Sequence, residues 1–324
     1  MANKIDLNLD VWKLIRLVFW TGLIVLILGF LAGCGEVSSG GVVAGQPNYN
    51  EWLKPSKPVG EGVKGVILPH HLLVKSYMEK FYQQLAAENS YERIVIISPN
   101  HFNYGFNFIQ TTDWVNTEEK TIDYESRQML KNAPALEGVW ITVLEAAKVL
   151  KIEPKYFSRE HGVFTHYGFI KKYFPDAKIL PIIIKRGTSE KALVALGEEI
   201  NALINAEEER TLVLASLDFS HYTAEGWAGK NDMRMVGWLA GIGISGGSVG
   251  NLDLKGAQEV GVSLDTENKD SVAIDSPEGL YLMAWLMNKQ GNGWNLWART
   301  SSASLIEGIS AADNTSHIFG WFGK

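Results

Sequence analysis

Sulfur chemistry is almost missing from this chain: among its 324 residues there is one cysteine, Cys34. No intrachain disulfide can form, and nothing C-terminal to residue 34 offers a thiolate to attack a substrate or bind a metal. Basic clusters are also missing, and the formal net charge is −6, which argues against nucleic acid as a partner. Long apolar runs are scarce. The longest, LVFWTGLIVLILGFLA at 17–32, falls short of the about 20 residues that a helix needs to cross a bilayer. Neither HExxH nor a paired CxxC occurs, so no metal motif of fixed short spacing is present. What remains is a globular composition, 46% hydrophobic with both charge signs, in a chain long enough for one large domain or two small ones.

The N-terminus stands apart. Lys13 and Arg16 precede the apolar run, and Gly33 and Cys34 follow it, the basic, apolar and small order of a secretory signal. Leu31-Ala32-Gly33-Cys34 resembles the bacterial lipoprotein lipobox, in which the cysteine is lipidated and becomes the mature N-terminus. The expectation is a signal peptide over 1–33, a flexible Gly/Ser-rich tether over 34–60 and a folded domain over 61–324. That domain is then extracytoplasmic and anchored to the lipid bilayer through Cys34.

From about residue 62 the pattern alternates. VKGVIL (63–68), RIVIIS (93–98), KILPIIIK (178–185) and the start of TLVLASLDFSH (211–221) read as strands. Helical spacing marks 71–88, 123–131, ITVLEAAKVLKI (141–152), 163–174, the long segment after Ser189, MRMVGWLAGI (233–242) and DSPEGLYLMAWLMNKQ (275–290). NLWARTSSAS and HIFGWF read as closing strands. Alternation of this kind predicts an α/β fold: one domain, with a mixed or parallel sheet covered by helices on both faces.

The histidines are placed unevenly. His70 and His71 follow the first strand, His101 follows RIVIISPN, and His221 follows TLVLASLDFS with Asp218 three residues before it. Parallel sheets bind ligands beyond the C-terminal ends of their strands, so three apolar runs each deliver imidazole to the edge where a site is expected. Imidazoles with carboxylates and no cysteine suit iron, copper, zinc or manganese.

LPHH (68–71), ISPNH (97–101), REHG (159–162), YFPDAKILPIIIK (173–185), SLDFSHY (216–222) and AIDSPEGL (273–280), in this order, resemble the motifs of the Memo family, which includes the AmmeMemoRadiSam system protein B proteins. That family is similar in fold to the class III extradiol dioxygenases, which hold non-haem iron. The resemblance spans about residues 62–320. It implies metal ligands at His70 and His101 and, where the family has a cysteine, at Asp275. It also implies acid/base or supporting roles for His221, His161 and Asp218, with Asp218 orienting His221. Two histidines and a carboxylate form the facial triad of Fe(II) oxygenases, so iron is the expected ion, with copper or zinc as alternatives. Two readings stay open at Asp275, a ligand or the cap of the helix near Pro277, and at Asp218, an orienting group or a turn former. His71 competes with His70 for the ligand role, Glu160 reads as a helix N-terminal carboxylate, and His166 and His317 read as structural.

The expected function is a membrane-anchored protein with a mononuclear metal site that acts on an unidentified small molecule as a dioxygenase-like oxidoreductase. A non-enzymatic metal-binding or metal-delivery protein would use the same ligands. A lesser alternative is a serine hydrolase, because GISGG (243–247) fits GxSxG and Ser245, Asp275 and His317 follow the order of an α/β-hydrolase triad. The helical spacing before these glycines favours a loop instead.

Overall fold

Strand β2 (Arg93–Pro99) is buried at every position, as an apolar, β-branched run is when both its faces are covered. The computed structural model describes residues 58–115, 123–207, 210–242 and 252–324; the expected signal segment, Cys34, nearly all of the expected tether and Ser245 lie outside them. The described residues fall in one compact unit, and Val59 is already buried in it.

β2 sits between β5 (Lys178–Ile184) and β6 (Thr211–Ser216), parallel to both. β1 (Gly65–Leu68) continues the parallel set beyond β6. One edge is extended by β3 (Ile109–Thr111), antiparallel to β5, and β4 (Lys151–Ile152). The other is extended by the antiparallel pair β10 (Ser316–Gly323) and β9 (Gly293–Ser301), with β10 against β1. The eight strands run in the order β4-β3-β5-β2-β6-β1-β10-β9. A separate small pair, β7 (Phe219–His221) and β8 (Val272–Ile274), follows β6 in the chain.

Alternation along β2 divides the core. Ile94 and Ile96 join a cluster with Phe81, Tyr82, Val163 and Ile170 from α1 (Lys75–Glu88), α4 (His161–Phe164) and α5 (Tyr167–Tyr173). Val95 and Ile97 join the opposite cluster with Leu193, Leu196 and Leu282. Those side chains belong to α6 (Glu190–Ala206) and α9 (Pro277–Lys289). The sheet is mixed and carries helices on both faces, as the alternating pattern predicts.

Local expectations differ in places. The segment 141–152 is not one helix: α3 (Gly138–Ala146) ends where Lys148 turns to a left-handed backbone, φ 61°, and Lys151–Ile152 pairs with β3. α7 (Glu225–Ala240) starts well before the apolar run at 233, and α2 (Tyr124–Lys131) and α8 (Leu254–Gly261) complete the longer helices.

Candidate metal centre

Because β1, β2 and β6 are parallel, their C-terminal ends open on one edge, and two residues beyond each end stand His70, His101 and Asp218. Asp275 follows β8 directly and is tied in place, its N–H donating to the Asp218 carbonyl at 3.1 Å. His161 opens α4 over the same edge. The side chains converge. Asp275 Oδ2 lies 3.4 Å from His70 Nε2 and 3.7 Å from His101 Nε2. The rings of His70, His101 and His161 are 4.1–5.1 Å apart, and one nitrogen from each falls within 4.8 Å of the others. Tetrahedral bonds of about 2.1 Å separate ligand atoms by about 3.4 Å, so these donors stand close to the spacing an ion imposes.

Hydrogen bonds decide which ring nitrogens face inward. Ser216 Oγ donates its proton to the Gly162 carbonyl at 2.5 Å and therefore accepts from His70 Nδ1 at 3.0 Å. Glu160 Oε1, an acceptor, takes the His101 Nδ1 proton at 2.5 Å, and Glu160 Oε2 takes the His101 backbone N–H at 3.0 Å. Nitrogen roles assigned from these partners leave both Nε2 atoms facing Asp275, that of His70 with its lone pair free. Glu160 also caps α4 through the Gly162 N–H. Gly162 leaves no room for a side chain, since a Cβ there would come 2.2 Å from Ser98 Oγ and 3.2 Å from His101 Cε1.

Burial, with repulsion from the other imidazoles, holds His70 well below the ordinary histidine range; burial and His101 lower His161. Both are neutral and free to donate lone pairs. At His101 burial acts downward, but the facing carboxylates of Asp275 and Glu160 outweigh it and raise the group to about 10. Without an ion, His101 therefore carries the proton that holds Asp275. Burial and the Asp275 charge push Asp218 up. Asp275 Oδ1 is buried without a hydrogen-bond partner, and nitrogen and carboxylate donors are the set that a transition ion takes. The residues fit a metal.

His70, His101 and Asp275 are thus brought together, and His161, expected as an acid/base group, stands among the possible ligands. Asp218 does not orient His221. Three positions apart on an extended chain, their side chains leave on opposite sides; Asp218 instead accepts the His70 N–H at 3.2 Å, and His221 Nδ1 is buried without a partner. His71 is not among the converging donors and faces His317 instead. Asp275 is not the cap of α9, because Ser276 accepts the Gly279 N–H. Nor does it serve a hydrolase triad, since neither nitrogen of His317 has a hydrogen-bond partner. The sequence reading missed the grip of Glu160 and Ser216 on the two imidazoles; only their places beside His161 and at the end of β6 hinted at it.

Two cavities meet this centre. The larger, about 870 Å³, is lined by His101, Asp275, His221, Tyr222, Asn268 and Arg186. The smaller, about 440 Å³, is lined by His70, His161, Asp218 and His71.

A MEMO1 family protein from Nitrosopumilus maritimus is 27% identical over 184 residues, covering 54% of this chain and 60% of its own. One from Pyrobaculum arsenaticum is 28% identical over 194 residues, covering 55% and 60%. The chain thus spans about 60% of the length of these relatives. An uncharacterized protein from Escherichia coli K12 aligns structurally with a TM-score of 0.45 at 14% identity, over 80% of this chain and 99% of that one. The family model described as Memo-like protein matches residues 47–276, more than half of the chain and every motif from His70 to Asp275, and the chain belongs to the Memo-like family.

Proposed function

We propose that this chain is a mononuclear metal protein that holds its ion with His70, His101 and Asp275, joined by His161, and acts as an oxidoreductase on a small molecule admitted to the larger cavity. One observation carries the reading: two imidazoles whose Nδ1 protons are engaged elsewhere turn Nε2 toward one carboxylate oxygen at 3.4 and 3.7 Å. Two histidines and a carboxylate are the donors of non-haem Fe(II) oxygenases, which puts iron ahead of copper or zinc. Bound there, the ion would supply Lewis acidity and a redox couple. The chain's own groups supply the rest. Asp218 holds the His70 backbone, Glu160 and Ser216 fix the ring orientations, and His221, kept neutral by burial, stands on the cavity wall where a bound molecule's proton can be taken up or returned. A metal carrier would use the same ligands; the 870 Å³ space beside His101 and Asp275 favours an enzyme. The lipobox at Cys34 supports an anchored, extracytoplasmic setting.

The test is iron retention by the untagged domain, loaded with Fe(II) under argon and passed through gel filtration. One tightly held equivalent is expected, and Asp275→Ala should weaken it at least ~10-fold, the scale at which even supporting residues are felt. Ser245→Ala should match wild type. A wild-type domain that retains no iron, copper or zinc overturns the metal reading; full retention by Asp275→Ala removes the carboxylate from the ligand set.

A further inference from the structure

We infer that His71 and His317 hold a second divalent transition ion, of the zinc or copper class, beside the first centre and separate from it. His317 lies on β10 and is completely buried, yet neither of its ring nitrogens has a hydrogen-bond partner. No other side chain among the described residues leaves two buried polar atoms unpaired. Buried polar groups are nearly always satisfied, by protein, water or an ion, so two orphaned nitrogens on one ring ask for a partner. The ring facing His317 is that of His71, 5.2 Å away between centroids at an interplanar angle of 43°.

That separation is a ligating one. The histidines of the first centre are spaced at 4.1, 4.8 and 5.1 Å, and two imidazoles on one tetrahedral ion at about 2.1 Å place their centroids about 5 Å apart. The backbone keeps the two sites distinct. His71 is extended, φ −76° and ψ 120°, so its side chain leaves the chain opposite to that of His70. His71 is exposed and lines the smaller cavity, which gives an ion access from solvent, with water filling the remaining positions. Neutral imidazoles without a carboxylate select zinc or copper over magnesium or calcium. Stray imidazole binding has little else to use. The chain has seven histidines; three form the first centre, His71 and His317 the second, His166 is engaged at both nitrogens by Tyr82 and Ser216, and His221 alone is left, on the wall of the larger cavity.

The experiment is equilibrium dialysis of the untagged domain against Zn²⁺, with bound metal measured by mass spectrometry. Wild type should bind two equivalents; His71→Ala, His317→Ala and His101→Ala should each bind one. His71→Ala combined with His101→Ala should bind none, which separates loss of the second ion from disturbance of the first. His71 is at the surface, so that variant decides the matter even if His317→Ala fails to fold. One equivalent on wild type that persists in His71→Ala, or two on His71→Ala, overturns the second site while leaving the first in place. Zero on wild type overturns both.

Discussion

Glu160 serves three donors with one carboxylate: the N–H of Gly162, the N–H of His101 and the His101 Nδ1 proton. Against burial, Asp275 and this grip of Glu160 together keep His101 protonated to about pH 10 while no ion is bound. A raised value stabilises the metal-free fold fully below the unfolded histidine value of about 6.5, and that stabilisation is lost as pH rises toward 10. Metal ligation needs the neutral ring, so binding at pH 7.5 should expel close to one proton, and affinity should rise about tenfold per pH unit between about 7 and 9. His70 and His161 are already neutral and add nothing to that count. Glu160→Gln keeps the cap but removes the charge, and both proton release and slope should shrink. Calorimetry in buffers of different ionisation heat counts the protons; a wild-type value near zero would show that His101 is neutral before the ion arrives. His70 and His101 were legible because each follows an apolar run closely. The partners of Glu160 were not, since Glu160 and His101 are 59 positions apart and meet only in the fold.

The four-residue helix α4 contributes one ligand, one carbonyl and one gap. The gap is Gly162, packed on Ser98 and His101 at the end of β2. Gly162→Ala should cost about 1–3 kcal/mol of stability through overpacking, and should weaken metal binding by turning the His101 ring. Gly138→Ala is the control: that glycine opens α3 with nothing within 4 Å of a Cβ, so the change should be neutral or stabilise by up to about 1 kcal/mol. Urea unfolding with metal titration reads both, and a Gly162→Ala domain equal to wild type in both would show that Ser98 and His101 yield without cost. Elements this short leave little trace in a sequence. β3, β7 and β8 have three residues each and β4 two, too few for a period to register, whereas the seven residues of β2 and the seventeen of α6 stood out.

For the molecule as a whole, the proposed anchoring rests on one residue. With a single cysteine in the chain, Cys34→Ser removes the only lipidation site, and the protein should leave the membrane fraction or remain unprocessed. Cell fractionation with palmitate labelling checks this, and a variant that is still processed and labelled would refute the lipobox. Composition and pattern settled a good deal unaided: strand–helix alternation is local chemistry, the missing cysteine excludes thiolate donors from the domain, and apolar runs that end in histidine announce an edge. The tertiary structure alone decided which of those side chains meet. β6 lies between β1 and β2, and the β7–β8 pair carries Asp275 back to His70. His161 joined the ligand group, Asp218 turned to His70 rather than His221, and β10 set His317 opposite His71. Convergence of this kind depends on strand order and on the side from which each side chain leaves its backbone, and residues distant in the chain acquire those relations only when the sheet has formed.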